Sequence, residues 1–222
     1  MLVRADGSTV GTIGGGAFEA MVACDAKELL EGPEVQAAVK RYVFTEQGED
    51  ALGMACGGTA EVLLEAAGRG SRLIIFGAGH VGLALARLAR TVGFVPELVD
   101  DREEFCKAAG EHSIGRVWHC DAAYASGVPP LDPSCYVAVV TRCHRTDRLA
   151  LKRVLGQPLK YVGLIGSRRK KAVIFAELVE QDGVSPADLE SVRCPIGLPL
   201  GGETPEEIAV SIVAELLQTK HR

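Results

Sequence analysis

The feature that most constrains this chain is a glycine-rich turn that directly follows an apolar run. In RLIIFGAGHVG, residues 72–82, Gly77, Gly79 and Gly82 have the spacing G-x-G-x-x-G. Between a strand and a helix, such a turn lets a phosphate approach the backbone and the amide groups at the helix start. The spacing predicts a Rossmann-type unit, but it indicates a phosphate and not the molecule that carries it.

From residue 71 onward, apolar runs typical of buried strands alternate with stretches typical of helices. Fully apolar strands separated by helices predict a parallel sheet that is covered on both faces. A final helix is expected after Thr204, because a capping hydroxyl is followed by Pro205 and then by Glu207 at the third helical position. The predicted strands are 73–76, 95–99, 136–140 and 161–165, with a candidate short strand in 113–119. The predicted helices between them are 81–92, 103–109, 146–155 and 168–181.

The first 70 residues have a different pattern. The spacing of apolar residues predicts an amphipathic helix at 17–31 and a strand around 60–64. The segment VQAAVKRYVF, 35–44, is predicted as a second helix or as a helix running into a strand. The fold class is therefore α/β: a Rossmann-like parallel sheet domain at 71–222, preceded by a small α+β amino-terminal domain at 1–70.

Composition excludes several classes of protein. A net charge of −5 argues against a nucleic-acid binder, which normally carries a basic surface. No apolar run approaches the roughly 20 residues that a membrane span needs, and no signal peptide opens the chain, so a cytoplasmic protein is expected. The seven cysteines include no C-x-x-C pair, which argues against a disulfide framework or a structural zinc site.

The glycine turn supplies the first candidate ligand residues. His80 opens the predicted helix, and Asp100 lies 18 positions beyond Gly82, at the end of the second strand. A carboxylate there is placed to accept a hydrogen bond from a ribose hydroxyl. The alternative is a glycine turn that serves packing alone.

Two further strands end in polar residues. In VVTRCHRTD, Arg142 could clamp a phosphate, and His144 could donate to an oxo group or move a proton. The alternative has Thr141 capping a helix, Asp147 meeting nearby arginines and His144 without a role. In LIGSRRKK the strand is followed by Gly166, by the predicted cap Ser167 and by a basic cluster that begins at Arg168; either it attracts an anion or it is a solvated surface.

Cys56 is the candidate metal ligand. It directly precedes Gly57-Gly58, where backbone amides could stabilise a thiolate that suits a soft metal. The alternative is a buried structural cysteine.

Six segments together are more specific than any single motif. In order they are MLVRADGSTVGTIGGGAFE, MACGGTAEVLLE, IFGAGHVGLALARLARTVGFVPELVDDREEF, VVTRCH, YVGLIGSRRKKAVI and PIGLPLGGETPEEIAVSIVAE. This set resembles the XdhC/CoxI family of xanthine dehydrogenase accessory proteins. The resemblance implies a protein that binds molybdenum cofactor, protects it during sulfuration and delivers it to a molybdenum hydroxylase such as xanthine dehydrogenase. It is expected to be a chaperone rather than an enzyme, with a sulfurtransferase as a further partner and a homodimeric state.

The resemblance also implies site residues. The cofactor phosphate would lie at the glycine turn, Cys56 would face molybdenum, and Arg142 and His144 would contact oxo or phosphate groups. The chain departs from the family pattern in three places: the first helix and strand of the family are not seen before MLV, Cys143 stands where the family has glycine, and Cys194 precedes PIGL.

Two other functions stay open from the residues. One is an NAD-dependent oxidoreductase, which would bind NAD(H) at the same glycine turn. The other is a nucleotide-sensing regulatory module that acts through a partner.

Overall fold

The structure, a computed structural model, describes residues 1–31, 37–44, 58–66, 70–111 and 114–221. The chain divides into two compact units, Met1–Arg69 and Gly70–Arg222. Each unit has its own hydrophobic core.

In its described residues, the smaller unit has one helix and two small antiparallel sheets. Strands β1 (Leu2–Val3) and β2 (Thr9–Val10) form a short hairpin, which helix α1 (Gly16–Glu31) follows. Strands β3 (Ala37–Phe44) and β4 (Gly58–Glu65) pair over eight residues each.

The core of the smaller unit contains Phe18 and Val22 from α1, Tyr42 from β3 and Leu64 from β4. The prediction of a second helix over 35–44 is wrong for the part that the structure describes, since Ala37–Phe44 is a strand. The strand belongs to the other alternative, a helix running into a strand. Lys40 lies on the helix-facing side of this strand and donates to Asp25 of α1 at 2.6 Å. Because Lys40 interrupts the apolar residues on the packed face, the spacing of apolar residues in this segment does not distinguish a helix from a strand.

The larger unit contains a six-stranded parallel sheet with the order β10-β9-β8-β5-β6-β7. The first of these strands in the chain lies near the middle, and the order reverses beside it, as in a Rossmann fold. The predicted fold class is confirmed. The elements are β5 (Ser71–Phe76), α2 (His80–Thr91), β6 (Phe94–Asp100), α3 (Glu103–Glu111), β7 (Arg116–His119), β8 (Tyr136–Val139), α4 (His144–Val154), β9 (Tyr161–Leu164), α5 (Arg168–Asp182), α6 (Pro186–Glu190), β10 (Val192–Arg193) and α7 (Pro205–Lys220).

Alternate residues of each strand contribute to two cores on opposite faces of the sheet. Leu73 and Ile75 of β5 belong to a core that α2, α3 and α7 cover. Ile74 and Phe76 belong to the core under α4, α5 and α6. All four side chains are fully buried, which explains why β5 reads as an unbroken apolar run.

The last helix completes the first of these cores. Thr204 accepts from the amide of Glu207 at 3.3 Å, and the Glu207 carboxylate accepts from the amide of Thr204 at 3.0 Å, which confirms the predicted cap. Ile212 and Leu216 of α7 are fully buried in the same core as Leu85 of α2. The sequence did not predict α6 and β10, because each is too short to show a period.

Candidate functional site

The carboxyl ends of β5 and β8 meet at the point where the strand order reverses. The amide of Val140 donates to the carbonyl of Phe76 at 2.8 Å. Gly77 has φ +113°, and a Cβ built there would lie 2.5 Å from the Val140 carbonyl oxygen. The glycine turn and the VVTRCH segment therefore lie close together, and this closeness depends on glycine at position 77.

The other two glycines of the turn differ in their surroundings. A Cβ at Gly82 would lie 1.9 Å from the carbonyl oxygen of Gly77, so this glycine permits helix and turn to pack together. A Cβ at Gly79 would meet nothing within 4 Å. Gly79 is also the N-cap of α2, and no side chain caps that helix start. Open space and uncapped amide groups are what an anion needs.

The role predicted for Asp100 is not supported by its contacts. One carboxylate oxygen accepts from the amide of Ala78 at 2.7 Å and from Nη2 of Arg102 at 2.9 Å. The other accepts from the Arg102 amide at 3.0 Å and from its Nε at 2.8 Å. These four donors occupy the roughly four acceptor positions of a carboxylate, and Asp100 is 1% exposed. Asp100 therefore holds the glycine turn and is not placed to accept from a ribose hydroxyl.

Arg142 also has a different role from the expected phosphate clamp. Both terminal nitrogens of its guanidinium donate to the carboxylate of Asp101, Nη2 at 2.8 Å. This contact lowers the pKa of Asp101, while partial burial raises it in part. The pair joins the end of β6 to the turn after β8. The carboxylate of Asp101 therefore already balances the positive charge of Arg142.

The two candidate histidines lie at helix starts on this edge of the sheet. His80 is the first residue of α2 and His144 the first residue of α4, and both are exposed. Cys143, also exposed, is the N-cap of α4, and it makes no capping hydrogen bond with its side chain. Its Sγ lies 3.4 Å from Oγ1 of Thr146, and this contact lowers the pKa of the thiol.

One alternative predicted that Asp147 contacts nearby arginines, but its ion-pair partner is a lysine. Asp147 is fully buried and forms an ion pair with Lys170 of α5. One carboxylate oxygen accepts from the amide of Thr141 at 3.1 Å and from its hydroxyl at 2.6 Å. Burial raises the pKa of Asp147, and Lys170 and Thr141 oppose that shift.

The turn after β9 carries the last predicted residues. Ser167 accepts from the amide of Lys170 at 3.2 Å, which confirms it as the cap of α5. Gly166 has φ +149°, and a Cβ there would lie 2.6 Å from Cδ of Lys170. Arg168 is exposed. Within the basic cluster, Lys170 therefore points into the protein, where Asp147 balances its positive charge. The sequence did not predict this contact.

The structure brings most of the predicted residues to one edge of the sheet, but it leaves Cys56 outside the described residues. Sequence reasoning missed the partners Asp101, Arg102 and Lys170. The run VDDREE offered a signal, because an arginine two residues after a buried aspartate can fold back onto it. In the described ranges, no group of three or more His, Cys, Asp or Glu side chains could hold a metal ion. No described helix has the length and apolarity to cross a membrane.

Comparisons with known proteins agree with this architecture. The Escherichia coli K12 protein YqeB, described as uncharacterized, is 36% identical over 223 residues, which cover 100% of this chain and 40% of YqeB. A Bacillus subtilis protein, named as a probable subunit of xanthine dehydrogenase, is 31% identical over 151 residues, covering 68% of this chain and 43% of the relative. This chain thus spans less than half the length of these relatives.

A solved structure is similar as well. A xanthine dehydrogenase from Bacillus halodurans, known from a crystal structure, matches with a TM-score of 0.60 at 26% identity. The match covers 80% of this chain and 50% of that one. Residues 73–216 match the XdhC Rossmann domain, and residues 1–42 match the XdhC and CoxI family. The chain belongs to the XdhC and CoxI family.

Proposed function

We propose that this protein is an accessory protein that binds molybdenum cofactor and delivers it to a molybdenum hydroxylase such as xanthine dehydrogenase. The names of the Bacillus subtilis and Bacillus halodurans relatives support a connection with that enzyme. When bound, the cofactor brings the molybdenum at which the client enzyme works. The residues of this chain bind and shield it.

The start of α2 supports a phosphate-bearing ligand. Its amide groups lack a side-chain cap at Gly79, and the space above Gly79 is open. A helix start concentrates partial positive charge, which favours an anion by about 0.3–1 kcal/mol at an exposed site. The exposed side chains of His80, His144 and Arg168 lie at helix starts on the same edge of the sheet and can supply further donors. The phosphate of a pterin cofactor fits these groups.

The contacts of Asp100 argue against NAD, and this observation carries the choice between the two functions. An NAD-binding Rossmann domain uses the acidic residue after its second strand to accept from the ribose. Here that carboxylate is 1% exposed and already receives four hydrogen bonds. The turn keeps its anion site but lacks a free ribose acceptor.

A binding experiment separates the proposal from the oxidoreductase alternative. The protein is incubated with molybdenum cofactor released from a donor enzyme, and in parallel with NADH, and bound ligand is measured by gel filtration and fluorescence. Retention of the pterin without retention of NADH supports the proposal. Binding of NADH at micromolar concentration without pterin retention would contradict it.

Gly79→Val is the variant that locates the site. Because φ is −79° and a Cβ meets nothing within 4 Å, the side chain fits the fold but fills the space proposed for the phosphate. We expect loss of cofactor retention with an unchanged circular dichroism spectrum. The matched control, Gly110→Ala in α3, adds a Cβ in open space within the same unit and should bind cofactor normally.

The remaining parts of the proposal concern context. We propose a cytoplasmic protein that meets its client enzyme, and in addition a sulfurtransferase, as a homodimer. Cys56 is proposed as a thiolate for the metal, so Cys56→Ser should weaken retention of the molybdenum-containing cofactor more than that of the metal-free pterin. Equal retention of both by the variant would remove Cys56 from the site.

A further inference from the structure

A buried ion pair connects the turns after β8 and β9, which lead to the proposed ligand residues His144 and Arg168. Asp147 lies in the first turns of α4 and Lys170 in the first turn of α5. The carboxylate is fully buried, and the ammonium group lies in direct contact with its Oδ2. The pair therefore joins the starts of two helices that follow the neighbouring strands β8 and β9.

Each partner also contacts the turn on its own side. Asp147 accepts from the amide of Thr141 at 3.1 Å and from its hydroxyl at 2.6 Å, so it fixes the turn after β8. Lys170 donates to the carbonyl of Ile165 at 3.2 Å, and its aliphatic stem lies over Gly166, so it fixes the turn after β9. The chain of contacts runs continuously from one turn to the other.

The hydrogen-bond network reaches the surface at Cys143. Oγ1 of Thr141 lies 2.6 Å from Oγ1 of Thr146, which in turn lies 3.4 Å from Sγ of Cys143. A change in the position of Thr141 must therefore alter the surroundings of an exposed thiol. The reactivity of the Cys143 thiol therefore measures a change in the turn even when no ligand is bound.

We propose that Asp147 and Lys170 are positioning residues, which rests on the proposed function of this edge in cofactor binding. Their ion pair holds the turn after β8 and the turn after β9 at a fixed spacing. His144 and Arg168 then face the ligand from defined places, while Asp147 and Lys170 do not touch it. Lys170 is the exception in the basic cluster: its charge is used inside the protein and not on the ligand.

The test is a double-mutant cycle with Asp147→Asn, Lys170→Met and the variant that carries both. The asparagine keeps an oxygen for Thr141 but loses the charge, and the methionine keeps an apolar stem over Gly166. Each single variant should raise the dissociation constant for released molybdenum cofactor about tenfold, the size typical of lost supporting contacts. The double variant should be no weaker than either single one, because the interaction is lost only once.

The matched control is Asp182→Asn. Asp182, at the end of α5, accepts from Nε of Arg148 at 2.7 Å and from Nζ of Lys152 at 2.8 Å, so it joins the same two helices through partners other than those of Asp147. Its loss should lower the melting temperature as the loss of Asp147 does, but should leave cofactor affinity within about twofold of the wild type, because Asp182 shares no hydrogen-bond partner with Asp147 or Lys170.

A second measurement keeps this proposal separate from the proposed function. The rate of Cys143 modification by a disulfide reagent should change several-fold in Asp147→Asn and not in Asp182→Asn. If the wild-type protein retains no cofactor, the proposed function fails, and the thiol rate alone decides whether the pair positions the turn. Unchanged affinity and thiol rate in Asp147→Asn would reduce the pair to a structural contact, and tighter cofactor binding would make the released Lys170 a ligand residue; either result overturns the proposal.

Discussion

The two units of the chain stabilise their sheets in different ways. Strands β5, β8 and β9 of the larger unit are buried on both faces, whereas β3 and β4 of the smaller unit have one packed face and one exposed face. The larger unit is stabilised by two cores, whereas the described residues of the smaller unit form a core of four buried side chains with partly buried ones packed against it. In the smaller unit, the ion pair between Lys40 and Asp25 joins the helix to the strands.

A large loss of stability should come from substituting a glycine of the larger unit. Gly82→Ala places a methyl group 1.9 Å from the Gly77 carbonyl, so α2 must move away from the turn. We expect a loss of about 3 kcal/mol or more in the free energy of unfolding. Fluorescence of Trp118, the single tryptophan, reports this unit during urea unfolding. Gly110→Ala, which adds a Cβ in open space within α3, should be neutral or slightly stabilising.

The comparison is sharpened by truncating one leucine in each unit. Leu164 is fully buried under α4 and α5, and Leu64 is 7% exposed in the smaller core. Leu164→Ala should cost about 3–5 kcal/mol, because the dense two-sided surroundings cannot collapse onto the cavity. Leu64→Ala should cost less, about 2 kcal/mol, measured by amide exchange in β3 and β4. Equal losses would contradict the difference drawn between the two units.

Acid should weaken the smaller unit through Asp25. Burial raises the pKa of Asp25, but hydrogen bonds from Lys40 and Tyr42 outweigh it, and the net pKa is lowered. Because the pKa of Asp25 is lower in the folded state, its ionised form stabilises the fold. This stability is present above the unfolded pKa of about 3.9 and is lost as the pH falls through the folded pKa. Asp25→Asn should therefore cost about 1–2 kcal/mol at neutral pH and progressively less as the pH falls through the folded pKa of Asp25. Circular dichroism during acid titration measures this, and a loss that persists at low pH would contradict the charge argument.

The smallest effect separates two thiols of the larger unit. Thr146 lowers the pKa of exposed Cys143, whereas burial raises the pKa of Cys120 to about 12. Iodoacetamide should therefore modify Cys143 at a lower pH than a free cysteine and leave Cys120 unmodified in the folded protein. Peptide mass spectrometry across a pH series gives both rates. Comparable modification of the two thiols would show that the start of α4 does not stabilise the thiolate.

The larger unit could be predicted from sequence because its signals agree at every level. The run LIIF is apolar throughout, the glycine spacing follows it, and Thr204 with Glu207 indicates the start of the last helix. The smaller unit could not be assigned as fully. Its strand 37–44 carries Lys40 and Arg41 side by side, so neither a helical nor an alternating period stands out.

The candidate site could be predicted in its position but not in the role of each side chain. Parallel strands bring their carboxyl ends together, which is enough to predict Gly79 and His144 at one edge. Which charges pair is a matter of tertiary distance. Arg142 pairs with Asp101, and Asp147 with Lys170, across segments that the sequence separates by 41 and 23 positions. No local pattern encodes those choices.

The joint coverage of one sheet face by α2 and α7 has a consequence for biosynthesis. Leu85 leaves the ribosome early, but the side chains that bury it, Ile212 and Leu216, are made more than a hundred residues later. At about 5–20 residues per second, that face stays open to water and to other chains for on the order of ten seconds. During that interval the exposed face is accessible to holding chaperones. In a chain that ends before α7, the face would stay exposed permanently.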